Sequence, residues 1–142
     1  MKYIFPKRKL TQEEFLLVPE AVCKLFIARV KVSFFRSAKY LPLTSRESRI
    51  LLSQEKLCKG KTIALVISGL STRTPWPSTC LVQVVAAHKM LKKRKIPHTL
   101  HFGVKKNTSL QFDAHSWLSV GTEVILGGGN IFYYKEISQM IT

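Results

Sequence analysis

Acidic residues are scarce in this 142-residue chain. Asp113 is its only aspartate, and its eight acids stand against 23 lysines and arginines, a formal net charge of +15. Cysteine is scarce too: Cys23, Cys58 and Cys80 are an odd number at wide spacing, which is no disulfide framework. There is no CxxC and no Cys/His cluster at zinc-ligand spacing, so no metal and no cofactor is expected. Long hydrophobic runs are missing as well. No stretch of roughly 18 residues is free of charge, because Arg29 and Lys31 interrupt the most apolar N-terminal segment, and no membrane span is expected. The start, from Met1 to Lys9, has neither the apolar run nor the small-residue cleavage site of a secretory signal, which places the chain in the cytoplasm. Internal repeats and low-complexity tracts are absent.

What is present is a core. Apolar residues make up 46% of the chain, too many for disorder. The length suits one domain, 1–142, able to bury about two-thirds of its unfolded surface. The positive charge attracts anions: nucleic acid, an acidic membrane face, or an acidic protein or peptide. Unpaired cysteine is among the most buried residue types, so Cys23 and Cys58 read as small core residues.

Residues 1–10 read as a basic arm or edge strand. Thr11 stands three residues before Glu14, the spacing of a capping box. Pro19 fits a first turn, so a helix is expected to restart there. Ala21, Val22, Leu25, Phe26, Ala28 and Val32 follow helical spacing, and Tyr40-Leu41-Pro42 ends that unit. Ser45 and Glu47 open a further helix carrying Ile50, Leu57, Ile63 and Ile67, with Gly60 a candidate break. Loop residues cluster from Ser71 to Thr79. Cys80 then begins a nearly all-apolar run to Ala87, with Gln83 its one polar member, as suits a helix at a domain centre. Lys89, Lys92, Lys93, Arg94 and Lys95 crowd its end, either a solvated terminus or a partner-binding patch, before Pro97 stops it.

The remainder reads as strands. Leu100, Phe102 and Val104 alternate with Thr99, His101 and Gly103. From Gln111 to Val120, one face carries Ala114, Ser116 and Leu118 and the other Asp113, His115 and Trp117. Gly121-Thr122 turns the chain, Glu123 to Leu126 runs back, and Ile131 to Tyr134 makes a last short strand. Residues 1–72 are thus mostly helical, and 73–142 hold a helix and an antiparallel sheet. The fold class is α+β.

Three residue types here could do acyl-transfer chemistry. A cysteine is a nucleophile only as the thiolate, which a helix N-terminus favours through its free N–H groups and dipole. Cys80 stands where the Pro-rich loop becomes a helix, and the backbone N–H there can also hold an oxyanion. A base is needed next, and His115 projects from a strand. A third group must orient the imidazole. His88, His98 and His101 read as hydrogen-bonded or surface histidines.

Four segments in one order carry a resemblance: Pro75-Trp76-Pro77-Ser78-Thr79-Cys80-Leu81, Lys92-Lys93-Arg94-Lys95-Ile96-Pro97, His101-Phe102-Gly103-Val104 and Ala114-His115-Ser116-Trp117-Leu118. Over about residues 63–129 the chain resembles the lasso-peptide biosynthesis B proteins, leader peptidases of the transglutaminase-like, papain-like cysteine protease superfamily. The resemblance implies a Cys-bearing helix packed on an antiparallel sheet that bears the His. It also implies removal of the leader from a ribosomally made precursor peptide. A separate leader-recognition protein would deliver that precursor, and a lasso cyclase would close the ring afterwards. The short, helical start implies the stand-alone form of the peptidase.

The chain departs from the family pattern at two places. Members carry an Asp about 12 residues after the His, where this chain has Gly127, and a Gly before the Ile where it has Lys95. Two residues remain as orienters. Asp113 shares a strand face with His115 at ~6.5–7 Å along the backbone. Asn130 falls opposite Asp113 if Gly121-Thr122 closes a two-residue hairpin, as in a Cys-His-Asn site. Trp76 either lines the substrate cleft or pins its loop. Trp117 either covers the catalytic hydrogen bond or belongs to the core. Competing readings are a non-catalytic basic module for nucleic acid or an acidic partner, another acyl transfer such as transamidation, and peripheral membrane contact through residues 1–40. No nucleic-acid motif is visible, and nucleic acid is not expected as a partner.

Overall fold

The first helix begins as its sequence dictates. The Thr11 N–H donates to Glu14 Oε2 at 2.8 Å and the Glu14 N–H to Thr11 Oγ1 at 3.3 Å, a reciprocal cap that satisfies two otherwise orphaned donors. The structure, a computed structural model, describes residues 10–34, 52–109 and 111–142. The basic arm before Leu10, the Tyr40-Leu41-Pro42 stop and the Ser45–Glu47 helix start lie outside the described residues.

Helix α1 spans Gln12–Phe34, α2 spans Gln54–Ser71 and α3 spans Cys80–Lys93. Pro19 does not restart α1 but sits inside it. The residue is exposed, where water can serve the carbonyl its missing N–H leaves free. The cap of α2 is Ser53, whose Oγ accepts from the Lys56 N–H at 3.4 Å, so Leu52 precedes the helix. Gly60 breaks nothing. A Cβ there would lie 3.3 Å from Val120 Cγ2, so the glycine lets α2 approach the sheet. Cys23 and Cys58 are exposed, contrary to the core reading: each lies on the outward side of its helix.

The sheet comprises β1 (Thr99–Lys106), β2 (Phe112–Val120), β3 (Glu123–Leu126) and β4 (Lys135–Ile141), in the order β3-β2-β1-β4. Every pairing is antiparallel, with Gly103 opposite His115 and His101 opposite Trp117. The last strand is not Ile131–Tyr134. That stretch belongs to a 3-10 segment, Gly128–Tyr133, and the chain then crosses to the far edge of the sheet to form β4. The cause is local: Gly127 takes φ +77°, which turns the chain out of β3 after four residues.

Helix α3 is the centre of the molecule. Val82, Val84, Ala86, Ala87, Met90 and Leu91 are fully buried, against Leu25 of α1, Ile63 and Ile67 of α2, and Leu100, Leu118 and Val120 of the sheet. A nearly all-apolar helix is stable only in such a place. At its end Arg94 donates through its guanidinium to Glu20 Oε2 at 2.6 Å, tying α3 to α1 and holding the Glu20 carboxyl below its ordinary range.

The turn after α3 explains the departure at Lys95. The Ile96 N–H reaches the Leu91 carbonyl at 3.1 Å and the Lys95 N–H the Lys92 carbonyl at 3.1 Å, the paired bonds of a Schellman ending. Lys95 occupies its left-handed position at φ +52°, where glycine is at ease and a Cβ is not. Below this turn His98 Nδ1–H donates to the Ile96 carbonyl at 2.7 Å, which leaves His98 Nε2 to accept from His88 Nδ1–H at 2.8 Å. Burial pushes both imidazoles down, His88 to about 4.

Two outcomes follow. Lys95→Gly is expected to stabilise the fold by about 1 kcal/mol, seen as a higher urea midpoint at constant m; an unmoved or lower midpoint refutes the strain. For the histidine pair, the unfolded His88 takes its proton near 6.5 and the folded one near 4. The stability it contributes is therefore complete above about 6.5 and is lost as pH falls toward 4. Denaturation at descending pH should show that loss in the wild type and a smaller one in His88→Gln.

Candidate active site

The loop from Thr72 to Thr79 fixes the start of α3. Thr74 Oγ1 lies 3.1 Å from the Trp76 carbonyl and 2.9 Å from Ser78 Oγ, and Gln83 Nε2 donates back to the Ser78 carbonyl at 2.9 Å. Trp76 packs edge-on against Phe26 of α1 with ring centroids 5.5 Å apart. Thr79 caps α3 through its backbone and offers no side-chain bond. The first-turn N–H groups around Cys80, half-buried at the first helical position, are thus left without a side-chain cap. That end of a helix favours a negative sulfur and an oxyanion alike.

His115 comes from β2, where the sheet runs from exposed at Phe112 to buried at Val120. Its Nε2 lies 2.7 Å from the Gly127 carbonyl oxygen. A carbonyl only accepts, so Nε2 carries the proton and Nδ1 of the neutral ring carries the lone pair. Two rings pack near it, Tyr134 at 5.0 Å and Trp117 at 6.1 Å between centroids. Trp117 in turn stacks on His101 at 5.4 Å, with the planes 2° apart. His101 is fixed at both nitrogens, Nδ1 to Glu136 Oε1 and Nε2 to Ser119 Oγ, each at 2.7 Å.

Cys80 and His115 line one cavity of about 430 Å3, together with Gln83, Gly127, Asn130 and Tyr134. Backbone from the Cys helix, the His strand and the segment after β3 thus converges on one space. Within it a sulfur nucleophile, a nitrogen base and helix N–H donors can serve acyl transfer.

Not every residue singled out in the sequence has the place expected of it. Asp113 is exposed and stands opposite Lys105, and the imidazole bonds to the Gly127 carbonyl instead. Asn130 is not across a hairpin from Asp113, because β3 ends at Leu126. It lies in the 3-10 segment at φ −140° and ψ 25° and lines the cavity, while the imidazole's Nε2 bonds to the Gly127 carbonyl. Trp76 is outside the cavity lining and pins its loop, and Trp117 is 5% exposed beside His115. Gln83 and Tyr134 were not foreseen. Gln83 had a signal: it is the one polar residue of the α3 run and stands three after Cys80, hence on the same helix face. The Gly127 carbonyl had none, since a backbone acceptor leaves no mark on side-chain identity.

A family model described as the transglutaminase-like superfamily matches residues 23–139. No curated protein and no solved structure matches the chain.

The Gly127 acceptor is open to test. A Cβ at Gly127 would meet the Ser116 carbonyl at 2.7 Å, in a left-handed conformation besides. Gly127→Ala is expected to cost about 1–3 kcal/mol of stability, read by denaturation. In the wild type, long-range proton–nitrogen NMR of neutral His115 should show the hydrogen on Nε2. A hydrogen on Nδ1 would disprove the assignment.

Proposed function

The chain belongs to the transglutaminase-like superfamily, and within it we propose that the protein is a cysteine peptidase that removes the leader from a lasso-type precursor peptide. The observation that supports this reading is the shared cavity of Cys80 and His115, with the imidazole hydrogen-bonded at Nε2. The resemblance around Pro75–Leu81 and Ala114–Leu118 supplies the substrate class.

In the proposed reaction His115 Nδ1 takes the thiol proton of Cys80, and the sulfur attacks the carbonyl carbon of the scissile peptide bond. The oxyanion that forms is held by the N–H groups at the start of α3. As the C–N bond breaks, His115 returns its proton to the leaving amine, and an acyl-enzyme remains. Water then gives a proton to Nδ1, attacks the thioester, and frees the carboxylate and the thiol. Asn130 and Gln83 line the space in which the peptide would lie. A leader-recognition protein would present the precursor, and a cyclase would take the freed core, all in the cytoplasm. The excess of positive charge would serve an acidic leader or an acidic delivery protein, chiefly through the association rate.

Mass spectrometry of a matched precursor, with and without its leader-recognition protein, decides the matter. Wild type is expected to cut one bond, Cys80→Ala none, and His115→Ala about 100-fold slower or worse. Equal cleavage by Cys80→Ala ends the nucleophile assignment. A product carrying an added amine in place of two fragments replaces hydrolysis with transamidation. A folded wild-type protein that cuts nothing with both partners present sinks the peptidase reading.

A further inference from the structure

Helix α1 is apolar on the wrong side as well as the right one. Its inward stripe, Ala21, Leu25 and Ala28, is fully buried. At about 100° per residue the opposite side carries Phe15, Leu16, Phe26, Ile27, Val30 and Phe34. All are exposed, Phe15 by 67%, Leu16 by 74% and Phe34 by 82%. Pro19 and Cys23, exposed too, fill the gaps between them, and no charged residue interrupts the stripe from Phe15 to Phe34. It is roughly 28 Å long. A surface helix normally turns polar residues outward, and a contiguous apolar patch of this kind marks a contact surface.

The flanks are predominantly cationic: Glu13 and Glu20 share one edge with lysines, and Glu20 is already paired with Lys93 and Arg94. Lys24 and Lys31 lie along one edge of the stripe and Arg29 along the other. Lys89 and Lys92 of α3 stand next to the first pair: burial, Lys31, Lys24 and Lys92 together hold Lys89 below the ordinary lysine range. Among the described residues no ion pair joins these four lysines to a carboxylate, whereas Lys93 and Arg94 are both engaged by Glu20. The arrangement is a convex ridge of large apolar side chains edged by unpaired ammonium groups. No helix of the described residues is long and apolar enough to cross a membrane.

We propose that the outer stripe of α1, with the lysines of α1 and α3 beside it, is a docking surface for an anionic lipid bilayer. The helix lies in the headgroup plane, its phenylalanines and leucine enter the acyl boundary, and the lysines reach the phosphates. A convex ridge with long cationic edges suits a deformable lipid surface; a protein partner would need a matching groove. The inference is independent of the chemistry at Cys80.

The test is vesicle flotation of the full chain. Vesicles are phosphatidylcholine alone or with about a quarter phosphatidylglycerol. The wild type is expected to float with the anionic vesicles at least about tenfold better than with neutral ones, and Cys80→Ala equally well. Phe15→Ser/Leu16→Ser/Phe34→Ser removes only exposed apolar groups and should lower binding at least about tenfold at unchanged helicity. If the triple variant unfolds, Phe34→Ser alone, at the last residue of α1, should still weaken binding severalfold. Emission of Phe34→Trp, taken against the wild type, should shift to the blue on anionic vesicles. Failure to float, equal flotation of the serine variants, or an unshifted emission overturns the proposal. So does a dimer in solution that the serine substitutions abolish while vesicles go unbound, since the stripe would then face a second copy.

Discussion

One hydrogen bond, from His115 Nε2–H to the Gly127 carbonyl, organises the chemistry of this molecule, and much of the fold exists to place its two ends. The donor end needs a strand held in register, which the β1–β2 ladder provides. The acceptor end needs a carbonyl turned toward the ring immediately after a four-residue strand. Only a left-handed residue with no Cβ allows that turn, because the Ser116 carbonyl and Trp117 backbone lie where a side chain would go. The bond decides the tautomer, and the tautomer decides which nitrogen carries the lone pair.

The second constraint is the position of α3. Its buried residues fix the helix axis against two other helices and the sheet, and with it the place of Cys80 at the first position. The loop before it is stitched through Thr74, Ser78 and Gln83 and braced by Trp76 on Phe26. On the sheet, the series Glu136–His101–Trp117–His115–Tyr134 does the same for the imidazole. Sites supported by packed rings and second-layer hydrogen bonds hold their geometry better than loops do.

The three helices and the antiparallel sheet were legible because apolar periodicity leaves direct traces in residue type, and Cys80 and His115, singled out in the sequence, line one cavity. The capping box at Thr11 and Glu14 left a trace in residue type too. Pro19 misled because on an exposed helix side water can serve the carbonyl it leaves free, which lessens its penalty, and Gly60 because a close approach to Val120 looks in sequence like a break. β4 was missed because an edge strand reading Lys135-Glu136-Ile137 has little apolar signal, and because Gly127 redirects the chain. That redirection also ends the hairpin, closed at Gly121-Thr122 as expected, before Asn130 can stand opposite Asp113. Membrane contact through residues 1–40 was read from composition alone; which side of α1 stays exposed was not legible, since periodicity reports where apolar residues lie, not which of two apolar sides finds a partner.

The replacement of a carboxylate by a carbonyl at the position twelve after the histidine has a chemical consequence. Either acceptor orients the ring and fixes the proton on Nε2. Only the carboxylate adds a full charge that stabilises the imidazolium once Nδ1 is protonated. A carbonyl supplies a dipole, so the ion pair of thiolate and imidazolium draws less of its stabilisation from the histidine side. The difference falls on the sulfur side, where the N–H groups of α3, uncapped by the Thr79 side chain, are the groups available. On the proposed reading the two features would complement each other: a helix end left open for an anion and a histidine oriented by a neutral partner. In the proposed reaction the helix end would carry first the developing thiolate and then the oxyanion.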